Sequence, residues 1–73
     1  MSHAVKFEVF GVKMRTATRR RFVLVTKGPI EPVIVGYSDN ESRAKRRAMI
    51  MNERRHRPDV YTTVVDLSQW RTK

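Results

Sequence analysis

The chain reads as a single small α+β domain with the element order β-β-β-α-β. Three observations predict it. Residues 38–58 carry the start and stop signals of one helix. Four apolar or β-branched runs of strand length lie at 5–14, 22–25, 33–37 and 60–66. Polar, Gly- or Pro-containing stretches separate the first three runs, and the helix separates the last two. With 73 residues the chain makes one domain, 1–73, whose core is only just sufficient for its size, and 1–4 and 71–73 are expected to be loose ends.

In the first run Val5, Phe7 and Val9 alternate on one face, and then Phe10, Val12 and Met14 alternate with the opposite parity. Gly11 at the change of parity predicts one strand bent by a bulge. Residues 15–20 (RTATRR) hold nothing apolar larger than Ala17, and they are expected to turn this strand into the next as a hairpin. The second run, Phe22, Val23, Leu24 and Val25, is apolar on both faces and belongs at the centre of the sheet. Residues 27–32 (KGPIEP) make a turn, and 33–37 completes a three-stranded antiparallel meander.

Ser38 and Glu41 stand in the S-x-x-E relation of a capping box. Asp39 and Glu41 place negative charge on the first turn of the helix, and Arg54, Arg55 and His56 place cations on the last, which suits the helix dipole. Pro58 forbids continuation, so the helix is predicted over 39–56. Ala44, Ala48 and Met51 recur at i, i+4 and i+7 as an apolar stripe. Its small side chains let the helix lie close to one face of the sheet, and the other face is expected to stay open. The β-branched run 60–66 is a fourth strand. A right-handed crossover pairs it with the first strand in the order 4-1-2-3, with the third strand as the alternative neighbour. Trp70 is expected to tuck over an open end of the core.

Charge is the most informative property for function. Sixteen Lys and Arg against seven Asp and Glu give a net charge of +9, an imbalance that usually accompanies a polyanionic partner. Arginine outnumbers lysine, and its planar fork matches phosphate bidentately. Two clusters carry most of this charge. Lys13, Arg15, Arg19, Arg20 and Arg21 surround the expected first turn, while Arg43, Lys45, Arg46, Arg47, Arg54, Arg55 and Arg57 lie on or just after the helix. These residues are the candidate nucleic-acid contacts.

Duplex DNA is favoured over RNA, bound through arginine–phosphate contacts by a basic ribbon or helix in a groove. An aromatic platform for unpaired bases is the weaker reading, because Phe7, Phe10, Phe22 and Tyr37 fall in strands that need them for the core; Tyr61 is the remaining candidate. The alternative function is a non-enzymatic interaction module, an inhibitor or adaptor, docking on an acidic protein.

No enzyme motif is present. The three glycines are isolated, His3 and His56 lack a carboxylate at ligand spacing, and no serine sits in a nucleophile elbow. No cofactor or metal is therefore expected. The absence of cysteine fits a reducing compartment, and no stretch approaches the ~18 apolar residues of a membrane span. A cytoplasmic place follows, on the nucleoid in a bacterial or phage setting.

Overall fold

The computed structural model describes residues 4–29, 31–54 and 59–71. Five strands and one helix follow in the order β1 (Ala4–Val9), β2 (Val12–Ala17), β3 (Phe22–Lys27), β4 (Val33–Ser38), α1 (Glu41–Glu53) and β5 (Tyr61–Asp66), and a 3-10 turn at Leu67–Gln69 ends the fold. β1 and β2 form one antiparallel sheet; the other has the order β4-β3-β5, with both outer strands antiparallel to β3. The α+β class and single compact unit hold, with five strands in two sheets where four in one sheet are expected.

The extra strand comes from the parity change at Gly11. Phe10 and Gly11 both have positive φ, 54° and 72°, the condition of a two-residue type I′ hairpin turn. Val9 pairs with Val12, Phe7 with Met14 and Val5 with Thr16. Partners across a two-residue turn are one odd and one even, so the parity switch marks a reversal of direction rather than a bulge. Phenylalanine is a poor residue for positive φ. Its ring holds the turn down by packing on the core, edge-on to Tyr61 at 6.4 Å, with the Lys27 ammonium 5.6 Å above it.

With β1 outside the main sheet, both edges of β3 are open to neighbours. β4 takes one and β5 the other, so the last strand pairs with neither of the two expected partners. β5 runs parallel to β4, and α1 crosses over β3 between them. β3 is central, as its two apolar faces require. Val23 and Val25 face Val5, Phe7, Val9 and Leu67, while Phe22 and Leu24 face Ala44 and Ala48. The fold therefore has three layers, hairpin, sheet and helix, and the sheet face expected to be open is covered by the hairpin.

Smaller expectations change as well. β4 continues through Ser38, which pairs with Phe22, so the helix starts later and Asn40 is its N-cap, accepting from the Arg43 amide at 3.0 Å. Ser38 instead brackets Asn40, accepting from its N–H and donating to its carbonyl. The helix ends at Glu53 with Arg54 as C-cap, and the residues read as its last turn and stop, 55–58, lie outside the described residues. Leu67 is the residue that closes the core, while Trp70 is 43% exposed. Ala4 is already in β1, and Arg71 donates to the carbonyls of Thr18 and Arg20, so neither is a loose end.

Candidate nucleic-acid interface

The fold redistributes the two basic clusters. Residues 18–21 link β2 to β3, which lie in different sheets, so they form a crossing between layers and not the tip of a ribbon. The crossing is held at several points. The Arg20 guanidinium donates to Asp39 at 2.7 Å, Arg21 grips Asp66 through two nitrogens at 3.1 and 3.3 Å, and Arg71 ties the Thr18 and Arg20 carbonyls. Arg21 also lies 5.0 Å above the Phe22 ring. Hydrogen bonds from Arg21 and then Ser68 hold the Asp66 carboxyl down at about 2, and the same pairing raises Arg21 above its usual value. Arg21 is thus a structural cation.

Arg20 points the other way, toward the helix. It joins Arg43, Arg46 and Arg47 around a groove of about 630 Å³ that is also lined by Tyr37 and the loop into α1. The helix supplies three of the four arginines because 43, 46 and 47 fall on the flank next to the buried Ala44–Ala48 line that turns toward β4. Arg47 reaches across β4 at Gly36, where an added Cβ would stand 3.4 Å from its Nη2. Glycine there leaves room for a guanidinium to lie over the strand. Tyr37 is fixed by a 2.6 Å hydrogen bond between its hydroxyl and that of Thr16 in the hairpin. Among the described residues Asp39 is the only carboxylate that lines this groove. Its bond to Arg20 is an exposed pair of the kind that contributes little and exchanges readily for another anion.

The other candidates lie elsewhere. Lys45 is on the opposite flank of α1, 3.5 Å from Glu41, beside a hollow toward β5. Lys13 and Arg15 are exposed on β2, across from Glu8 and Lys6. Arg19 is exposed in the crossing and Arg54 caps the helix. Arg55 and Arg57 lie outside the described residues. Tyr37, Gly36 and Trp70 were not among the sequence candidates. Gly36 inside a β-branched run was the local signal of a close approach; the placement of Tyr37 and Trp70 depends on which layers meet.

No helix is long and apolar enough to cross a membrane. Comparison of the chain with protein-family models, curated proteins and solved structures finds no match.

Proposed function

We propose that the protein binds nucleic acid, holding the phosphodiester backbone in the groove between β4 and α1. One observation carries this reading: four arginines from two separate stretches of sequence converge on one groove, with Asp39 as the sole carboxylate among its described lining residues. Gathering like charges opposes folding unless an anion offsets it, and arginine forks suit phosphate oxygens. The contacts are to backbone, so they position a strand without reading its sequence. The basic ribbon tip that would have entered a duplex groove is absent, and duplex DNA stays in the proposal as a backbone ligand.

The test is binding of dye-labelled duplex DNA, single-stranded DNA and RNA across a salt series. The logarithm of affinity should fall linearly with the logarithm of salt, and Arg43→Ala/Arg47→Ala should make that slope shallower by about 1.8 on duplex DNA, about 0.9 for each lost contact. Lys45→Ala, on the other flank, should leave the slope within error. Absence of binding to all three ligands at low salt would overturn the reading. A second function would then take its place, favoured by the edge of β4 that no described strand pairs with, where Val33 and Val35 are exposed on the strand that Arg47 overlies. An extended acidic segment of a partner protein could add there as a strand.

A further inference from the structure

A second cationic cleft lies beside the hairpin, and it contains the chain's single tryptophan. We propose that this cleft holds an unpaired base of single-stranded nucleic acid, stacked on the Trp70 indole with adjoining phosphates on Lys6 and Arg15. The proposal rests on the nucleic-acid reading above and adds to it a site and a strand type.

Four observations support it. The cleft measures about 370 Å³, within the about 300–1,000 Å³ of small-molecule sites. Trp70 is 43% exposed although Leu67, three residues earlier, is fully buried, so the indole is left at the surface by a chain that could have used its area in the core. The tryptophan is also anchored on both sides. Its backbone N–H and that of Arg71 donate to the Leu67 carbonyl at 3.0 and 3.1 Å, and the Arg71 side chain is tied to two carbonyls of the 18–21 crossing. A backbone held in place before binding leaves only the two side-chain torsions of the indole to be ordered when a base stacks on it.

The fourth observation is charge. Lys6 and Arg15 are direct cross-strand partners in the β1–β2 register, and like charges placed opposite each other are destabilising. Among the described residues neither has an ion-pair partner within 4.0 Å. Glu8 faces Lys13 in the same register and offsets one of the three cations, which leaves an excess suited to a phosphate. Lys6, Glu8, Lys13, Arg15 and Trp70 all line the cleft, together with Phe7 and Met14 from the core-facing side of the hairpin. An indole among cations is the combination that binds single strands, by stacking together with backbone attraction. A duplex keeps its bases inside and offers the ring nothing to stack on.

Because Trp70 is the only tryptophan, its fluorescence reports this site alone. The experiment titrates the full chain with a dye-labelled oligothymidylate and, separately, a duplex, reading dye anisotropy and tryptophan emission together. The single strand is expected to raise anisotropy and quench the tryptophan; the duplex raises anisotropy without quenching. Trp70→Ala should weaken oligothymidylate binding about tenfold or more, and Trp70→Phe should restore most of it. Lys6→Ala/Arg15→Ala, on exposed positions that leave the core intact, should reduce the single-strand salt slope by about 1.4. Anisotropy that rises without quenching, together with unchanged affinity in Trp70→Ala, would overturn this proposal and leave the arginine groove standing. No anisotropy change with either ligand would remove both.

Discussion

Asn52 offers the sharpest test of how the helix is seated on the sheet. It continues the buried line of Ala44 and Ala48 by one more turn, and its amide meets the outer edge of β5. Its Oδ1 accepts from the Thr62 N–H at 2.7 Å and its Nδ2 donates to the Thr62 carbonyl at 2.9 Å, so one side chain does there what a neighbouring strand would do. Thr62 is buried, and water replaces these bonds poorly. In Asn52→Ala two hydrogen bonds of about 1 kcal/mol each disappear, with an added penalty for the Thr62 amide and carbonyl they leave behind, about 2–3 kcal/mol together. Alanine's better helix propensity returns about 0.5 kcal/mol. The net loss of about 2 kcal/mol corresponds to a melting temperature about 8–16 °C lower for a domain of this size. Thermal melts followed by circular dichroism measure it directly, with Met49→Ala, on the exposed side of the same helix, as the control. A melting temperature within about 3 °C of wild type for Asn52→Ala would mean that the amide does not secure β5, and the seating of α1 would have to be redrawn.

Two further outcomes follow from the same layers. Ala48→Glu places a carboxylate between α1 and the Phe22–Leu24 face of β3 and should lower stability by several kcal/mol or prevent folding, whereas Arg46→Glu at the exposed groove wall should change it by about 0.5 kcal/mol or less; equal melting temperatures for the two would refute the assignment of helix faces. The Asp66 carboxyl, held at about 2 against an ordinary 3.8, binds its proton less readily folded than unfolded, so its stabilisation is present above about pH 4 and lost as pH falls toward 2; melts of Asp66→Asn should therefore depend less on pH than wild type across that window, and parallel curves would contradict the Arg21–Asp66 grip.

What the sequence revealed was set by local chemistry. The run Phe22 to Val25 announced a central strand because no other element is apolar on both faces, and Ala44 and Ala48 announced the buried line of the helix because small residues recur at its period. The hairpin at Phe10–Gly11 stayed hidden because such turns are usually signalled by Asn-Gly or Asp-Gly, and here the aromatic is held at positive φ by Tyr61 and Lys27, which arrive from distant strands. The helix cap was misplaced by two residues because Ser38 satisfies the capping pattern while the β3–β4 register keeps it in the sheet. The arginine groove was legible only as two charge clusters. Which of them meet depends on Arg21 being taken by Asp66 and Arg20 being turned to the helix, pairings across 45 and 19 residues that no local window contains.

The separateness of the hairpin has a consequence for how the molecule opens. The backbone ladders of β1 and β2 pair with each other and not with the other sheet. The layer is held on by Val5, Phe7 and Val9 against β3 and Leu67 and by the Thr16–Tyr37 hydroxyl bond. A two-stranded hairpin has little stability of its own, so this layer is expected to lift as a unit at a lower free energy than global unfolding, with its amides exchanging ahead of those of β3 in a hydrogen-exchange measurement. Each such opening bares Val23 and Val25. The time the hairpin spends detached therefore sets how often the molecule offers other copies an adhesive surface, and a ligand seated against the hairpin would shorten it.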